Sequence, residues 1–406
     1  MRLSGLRVLD FCWVGAGAFV TRILADMGAD VIKVESHSHP DNLRLSGPHK
    51  GGAKPLESSG YFASRNTSKR SFALNMSQPR AREIALRLAS CCSIVSNNFR
   101  PGVMERWGLG YPQIAAVNPS VIYLAMPMQG SRGPHKDYIG FGSTISALCG
   151  LVGMAGVPGR PPIGTGTHYP DHVPNPGHAL VAVLAAAFHR ARTGEGQHIE
   201  LAQIESTVNM LGPSILAHGA SGALPQTNGN RRPGAVPRGV FPCLPPSSGE
   251  EAWCAIEVTD NRQWQGLVAA LGAPQWMRED KLAALADREA CQSEIETRLA
   301  QETRRYPAGD LMRLLQAHGV PAAVVATSAD VTSDPQLAAR GYWHTVPHAE
   351  MGSVLVNLPP FRVVGEERAA PGPPPLLGEH TVEIASELLG LDEAECRRLI
   401  DEKVLY

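Results

Sequence analysis

Arg7-Val-Leu-Asp-Phe11, then Phe19 to Met27 closed by Gly28, then Asp30-Val-Ile-Lys-Val-Glu35, is the stretch that decides the fold. Its first and last pieces are short apolar runs of the kind that form buried strands. Between them the apolar residues recur at helical spacing, and Gly28 stands where a left-handed residue ends a helix. Strand, helix and strand in that order make a βαβ crossover, which implies parallel strands and a right-handed connection. The theme repeats downstream: Pro79 to Ser90 reads as a helix, Ser93-Ile-Val-Ser96 as a strand, Tyr111 to Val117 as a helix and Val121-Ile-Tyr-Leu-Ala125 as a strand. The first half of the chain is therefore expected to be an α/β sheet.

Asn175 followed by Pro176 predicts a capped helix start, with an alanine-rich helix running to about Arg192. Thr193-Gly-Glu-Gly-Gln197 is a turn, and His198-Ile-Glu-Leu201 returns as a strand. From Ser221 to Gly239 the composition shifts to Gly, Pro, Asn and Arg, which predicts an extended linker or loop. Beyond it, Val240-Phe-Pro-Cys243 and Trp253 to Val258 read as a hairpin, followed by helices over Arg262–Leu271 and Arg288–Gln301 and an apolar strand at Val320–Val325. The expected division is 1–200 for a large domain, 201–225 for a linker helix, 226–325 for a smaller α/β domain and 326–406 for a second linker and a C-terminal return.

With 406 residues, 43% of them hydrophobic and 18% charged, the chain can bury a full core. Thirty-seven basic and 38 acidic side chains leave a formal net charge of −1, which argues against nucleic acid as the main partner. The N-terminal residues lack an uninterrupted apolar run and the longest apolar stretch, Ala179 to Phe188, is too short to cross a bilayer, so a soluble, cytoplasmic protein without a membrane partner is expected. The eight cysteines are scattered without a C-x-x-C pair, and the 14 histidines are equally dispersed, so neither a disulfide framework nor a metal site is expected.

Gly15-Ala-Gly17-Ala-Phe-Val20 after the first strand, with Glu35 closing the second, imitates a dinucleotide-binding turn, but Val20 stands where the third glycine belongs. A G-x-S-x-G nucleophile elbow is absent from the sequence, which disfavours an α/β-hydrolase. Asp171, in Tyr169-Pro-Asp-His-Val-Pro-Asn-Pro-Gly177, is the acid that draws notice. Prolines stiffen its loop, and the positive end of the following helix should keep it ionised. A turn or capping aspartate would look the same locally.

Leu3-Ser-Gly-Leu-Arg-Val-Leu-Asp10, Gly28-Ala-Asp-Val-Ile-Lys-Val-Glu35, Asn66-Thr-Ser-Lys-Arg-Ser71, Asn98-Phe-Arg-Pro-Gly-Val-Met-Glu-Arg106, Asn118-Pro-Ser-Val-Ile-Tyr123, Arg192-Thr-Gly-Glu-Gly-Gln197, Gly239-Val-Phe-Pro-Cys243 and Leu377-Gly-Glu-His-Thr381 follow one another along the chain. In that order and spacing they resemble the class III CoA-transferases, the family that includes formyl-CoA:oxalate and carnitine CoA-transferases and α-methylacyl-CoA racemase. Tyr169 to Pro176 and Ile199-Glu-Leu-Ala-Gln-Ile-Glu205 look most like the succinyl-CoA-dependent benzylsuccinate branch.

The resemblance implies a Rossmann-like large domain built from both chain ends plus a smaller α/β domain, in an interlocked-ring homodimer or a pair with a homologous subunit. It implies acyl-CoA and a free carboxylic acid as substrates, with CoA passing as substrate and no cofactor held permanently. It makes Asp171 the catalytic nucleophile and places CoA contacts at Gly15, Ala16, Asn98, Phe99 and Arg106, with Lys69 near the nucleotide. Backbone N–H groups around Gly229 or Gly234 would stabilise oxyanions. The chain departs from the oxalate enzyme at Ser36, where an Arg is expected, at Ser143, where a supporting glutamate is expected, and at Asn228-Gly-Asn-Arg-Arg232, which replaces a glycine-rich lid. The alternative within the family is a racemase, which needs a second acid/base group. Its histidine position falls at Phe141, with His135 and His168 as the nearby substitutes.

Overall fold

In the computed structural model, residues 3–224 and 226–406 are described. Six strands form one parallel sheet: β1 (Arg7–Asp10), β2 (Asp30–Glu35), β3 (Arg70–Ala73), β4 (Ile94–Asn97), β5 (Ile122–Ala125) and β6 (Gln197–Glu200). Their spatial order is β3-β2-β1-β4-β5-β6. The order reverses between β1 and β4, which pair through Val8↔Ile94 and Asp10↔Ser96. A doubly wound sheet opens a crevice beyond the C-terminal ends of the strands at that reversal, and ligands bind there.

Alternation along the strands divides the core into two layers. Leu9, Ile32, Phe72 and Val95 face a layer that holds Ile84 and Leu88 from the helix Pro79–Ser90, and Ile384 and Leu399 from the two C-terminal helices Thr381–Leu389 and Glu393–Asp401. Val8, Val31, Ile94 and Ile122 face the other layer, made by α1 (Gly15–Asp26) and the long helix Pro174–Thr193. Truncating a fully buried residue such as Leu9 to Ala would cost about 2–5 kcal/mol. Among the described residues no helix is long and apolar enough to cross a membrane.

The chain divides into two compact units, one of Met1–Ala155, Pro162–Pro225 and Gln336–Tyr406, the other of Gly156–Pro161 and Gln226–Pro335. The large unit is thus assembled from both ends of the sequence. Its C-terminal part is anchored by hydrogen bonds such as Ala73 N–H to Thr381 Oγ1 (2.9 Å). The second unit carries a three-stranded antiparallel sheet of β7 (Arg238–Pro242), β8 (Trp253–Glu257) and β9 (Ala322–Val324). A hairpin in the large unit, β10 (Trp343–His348) with β11 (Gly352–Asn357), was not expected from the sequence, and neither was β3.

Several boundaries differ from expectation for identifiable reasons. The helix after Asp171 starts at Pro174 rather than Pro176, because a proline suits the first helical position and Pro174 already fills it. Asn175 is therefore inside the first turn, and it donates to Gln203 Oε1 (3.2 Å) and accepts from Ser206 Oγ instead of capping. The first helix begins at Gly15, so the glycine segment is its first turn rather than a loop. The helix expected over 288–301 is two helices, Leu285–Ala290 and Gln292–Thr303, meeting at Cys291. Residues 201–225 hold Gln203–Val208 and Gly212–Ser221 joined by a 3-10 turn, not one linker helix.

Candidate active site

The site is built around the segment leaving β1. Asp10, at the end of that strand, is fully buried and accepts from Cys12 N–H (2.9 Å), Thr21 Oγ1 (2.6 Å), Ser96 Oγ (3.0 Å) and Lys69 Nζ (3.0 Å). Burial opposes its charge, but Lys69 and Lys33 hold its carboxyl below the usual range. Lys33 donates to Cys12 O (3.0 Å) and to Asp41 Oδ2 (2.8 Å), and the other Asp41 oxygen accepts from Val14 N–H (3.0 Å). Asn98, beyond the end of β4, brackets Trp13 from both sides: its Oδ1 accepts from Trp13 N–H (2.9 Å) and its Nδ2 donates to Trp13 O (2.6 Å). These contacts clamp Cys12–Val14 and hold Val14 at φ 59°, a region a β-branched residue rarely visits. Strain of this kind persists where the surroundings over-determine the backbone, and here it delivers the uncapped N-terminus of α1 to the crevice.

Asp171 sits against that N-terminus. It lies in the short helix Tyr169–His172 and is 6% exposed. Two glycines permit its approach: a Cβ on Gly15 would lie 2.6 Å from Asp171 Oδ2, and a Cβ on Gly142 would lie 2.7 Å from the same oxygen. Gly142 opens the helix Gly142–Leu148, so a helix N-terminus lies against the carboxylate on that side as well. Burial pushes the Asp171 carboxyl up to about 6, against the pull of His168, the Gly142 hydrogen bond and Arg65. The positive end of a helix was expected to keep this acid ionised; desolvation instead raises its carboxyl, yet at about 6 the acid remains mostly ionised at neutral pH. His172, the next residue, is pushed down to about 4 by burial and by the charges of Arg65 and His168, so it is neutral.

Two clefts adjoin here, and Asp171 lines the first of them. One, of about 280 Å³, is lined by Gly15, Ala16, Asn98, Phe99, Phe141 and Asp171 among others. The second, of about 330 Å³, is mostly aromatic and apolar, with Phe11, Leu74, Met76 and Trp107 in its wall and Ser36 at its edge. Trp13, Phe99 and Val103 belong to both linings. Phe99 packs edge-on against Trp13 and Trp107, with ring centroids 5.4 Å apart in each pair.

Five of the residues singled out in the sequence, Gly15, Ala16, Asn98, Phe99 and Asp171, are thus brought together. Lys69 is not. Its ammonium is buried among Asp10, Ala18 O, Thr21 and Asn66, so it neutralises Asp10 and presents nothing to a ligand. Arg106 is exposed at the end of the helix Val103–Arg106 and lines neither cleft, whereas Arg100, which was passed over, lines the Asp171 cleft. The Gly229 and Gly234 N–H groups are already engaged, by Gly156 O (3.0 Å) and Glu289 Oε1 (2.8 Å), so neither is a free oxyanion donor. Glu35 pairs with Arg44 (2.8 Å) inside the protein, which removes the ribose-binding acid of the dinucleotide reading. Trp13, Asp41 and Gly142 were missed. A non-glycine residue at positive φ gives no sequence signal, and Asp41 acts across a turn that periodicity does not register.

The family description "CoA-transferase family III" matches residues 3–381. Succinyl-CoA–D-citramalate CoA-transferase of Chloroflexus aurantiacus is 30% identical over 99% of this chain and 98% of its own. Succinate–glutarate CoA-transferase of Agrobacterium fabrum is 29% identical, with 95% of each chain covered. Among solved structures, a CAIB/BAIF family protein from Brucella suis superimposes with a TM-score of 0.85 at 31% identity, covering 95% of this chain and 99% of that one.

Proposed function

The chain belongs to CoA-transferase family III, and from that premise we propose that it moves CoA between carboxylic acids through covalent intermediates on Asp171. The observation that carries the reading is a buried, mostly ionised carboxylate squeezed between two glycines at a helix N-terminus, beside a cleft shaped for a long amphipathic ligand.

In the first step an Asp171 oxygen attacks the acyl carbon of R–CO–SCoA. The C–S bond breaks, leaving an acyl-aspartyl anhydride and CoA thiolate. The thiolate then attacks the aspartyl carbonyl, releasing R–COO⁻ and forming an aspartyl-CoA thioester. An incoming R′–COO⁻ attacks that carbonyl and expels the thiolate. The thiolate takes R′–CO from the anhydride and frees the Asp171 carboxylate. No proton is gained or lost overall, so the site needs no strong general base. The helix N-terminus at Gly15 and Ala16 offers donors for the oxyanions, and the Gly142 N–H, already aimed at the Asp171 carboxyl, suits the oxyanion that forms on the aspartyl carbon, in place of Gly229 and Gly234.

Along the ligand, the aromatic cleft walled by Phe11, Phe99 and Trp107 suits the purine end of CoA, and Arg100 suits a phosphate. Succinyl-CoA is the donor we favour, since the two relatives above carry succinyl or succinate in their names. A racemase needs a second proton carrier across from Asp171, and the family's position for it holds Phe141 in the cleft lining. We further propose that two copies assemble as an interlocked dimer, because the long helix Pro174–Thr193 buries Ala179, Val183 and Ala186 yet leaves Val181 71% and Phe188 65% exposed.

The decisive experiment is chemical trapping. Wild-type protein incubated with succinyl-CoA and then hydroxylamine should carry a hydroxamate on the Asp171 peptide, read by mass spectrometry. Asp171→Ala should fold, bind CoA and lose transfer by about four orders of magnitude or more. Turnover retained by that variant would sink the mechanism.

A further inference from the structure

We propose that Arg65 holds the distal carboxylate of the reacting acid, so that this chain selects dicarboxylic over monocarboxylic substrates. The inference rests on the CoA-transfer reading above and adds to it the residue that chooses the acyl group.

Arg65 closes the helix Gly60–Arg65 in the large unit. Its neighbours in the same layer are paired: Arg22 with Asp26 (3.1 Å) and Arg44 with Glu35 (2.8 Å). Arg65 differs. Among the described residues no carboxylate lies within ion-pairing distance of its guanidinium. Its contacts are neutral, Ser64 O at 3.3 Å and His172 Nδ1 at 3.2 Å, and its Nε is buried with no hydrogen-bond partner. An arginine has only donors, so His172 Nδ1 must accept, which fits the neutral state that burial and Arg65 impose on that ring. A guanidinium with five donors and two neutral acceptors is under-satisfied. Leaving a cation desolvated with no carboxylate at ion-pairing distance is costly, and burial lowers the Arg65 pKa even though the more distant Asp171 carboxylate opposes it.

The group is nevertheless held in place. The guanidinium carbon lies 4.7 Å from the Phe19 ring centroid and 5.5 Å from that of Tyr61. Cation–π contact with both rings orients the group. A carboxylate is the partner whose two oxygens match that fork.

The location is what ties this cation to the reaction. His172, which Arg65 contacts, follows Asp171 in the chain, and the Tyr61 ring stands 6.3 Å from the His172 ring. Asp171 feels the charge of Arg65, and Tyr61 feels that of Asp171. The other charged groups about Arg65 are Arg22, already neutralised by Asp26, and the phenols of Tyr61 and Tyr342. None of these answers its charge. In the exchange proposed above, the departing acid and the incoming acid occupy the same position in turn. One cation within reach of that position would select both.

The test is the degenerate exchange of isotopically labelled acid into its own CoA ester, succinate into succinyl-CoA and butyrate into butyryl-CoA. These acids differ only in the distal group, carboxylate against methyl. Wild type should favour succinate in kcat/KM by about 100-fold. In Arg65→Gln that preference should fall by about 10- to 100-fold, the range of a hydrogen-bonded charge pair, and Arg65→Lys should restore part of it. A purely structural role for Arg65 would lower both exchanges alike and leave the ratio intact, which would overturn the inference while CoA transfer stands. Equal use of the two acids by the wild type would overturn it without any variant, and so decides the case if Arg65→Gln does not fold. If the wild type exchanges no acid and forms no Asp171 adduct, the transferase reading itself fails and takes this inference with it.

Discussion

In the proposed mechanism the carboxylate of Asp171 meets opposing demands, since a nucleophile must be ionised and a buried acid resists ionisation. Its folded-state value of about 6 stands above the 3.8 of an ordinary aspartate, so the folded protein holds the proton more tightly than the unfolded chain does. Ionisation therefore destabilises the fold. The penalty is full above about pH 6, shrinks as the pH falls and vanishes below about pH 4. At about 1.4 kcal/mol per unit it amounts to ~3 kcal/mol. Asp171→Asn should accordingly be more stable than the wild type at pH 8, by about 1–3 kcal/mol in urea titrations, with the difference closing by pH 4. In the wild type, kcat/KM for the acyl-CoA donor should fall about tenfold per pH unit below pH 6, as the protonated acid stops attacking. A variant less stable than the wild type at pH 8, or a rate flat down to pH 5, would contradict the assignment. Asp171 stood out in the sequence as a candidate because its position before a helix and its family motif coincided. The direction of its pKa shift was not, because burial comes from Gly15 and Gly142, which are remote in the chain.

The β1–α1 connection shows why a glycine-rich turn can be misread. Gly15-Ala-Gly17 looks like a phosphate-binding loop, yet it forms the first turn of α1, and its glycines make room for side chains rather than for a turn. A Cβ on Gly17 would meet Cys12 Sγ at 2.5 Å, and one on Gly15 would meet Asp171. Gly142 acts in the same way from the other side. Gly142→Ala would set a methyl 2.7 Å from Asp171 Oδ2 and 2.9 Å from its Cγ, so the carboxylate must move. We expect about a 100-fold loss in kcat with the fold retained, since displacements near 1 Å have that effect on positioned groups. Gly153→Ala is the matched control: a Cβ there meets nothing within 4 Å, and transfer should stay within about twofold. Equal loss in both variants would mean that backbone entropy, not contact with Asp171, explains the glycines. Five of the six parallel strands and the main helices between them were readable from periodicity. The β3 strand was hidden because Arg70-Ser-Phe-Ala73 is short and half polar, its polar groups being taken by Asp30 and Glu35 of the neighbouring strand.

The molecule's larger organisation was only partly visible from local pattern. The βαβ rhythm announces a parallel sheet, and the change of composition after Ser221 announces a second unit. That the C-terminal helices return to the first sheet is a long-range fact, carried by contacts such as Ser71 with Gly378 (2.9 Å) that leave no periodic trace. Assembly is less visible still, and the clearest physical pointer to it is an amphipathic count that does not balance. The helix Pro174–Thr193 has apolar residues on both faces, one buried in the sheet layer and one exposed, and the helix Gly212–Ser221 adds Ile215 and Leu216 to the exposed apolar surface. Single exposed apolar residues are common, but this many on two helices is surface that a second copy would cover. If the copies interlock, they cannot part while folded, so unfolding and dissociation must coincide. Light scattering should give a dimer mass down to nanomolar concentration, and the urea midpoint should rise with protein concentration. Phe188→Glu places a charge on the exposed face without touching the buried one, and it should lower that midpoint or leave the protein insoluble. A folded, active monomer of the wild type would refute interlocking. A wild-type dimer that dissociates on dilution into folded monomers would keep the interface and discard the topology.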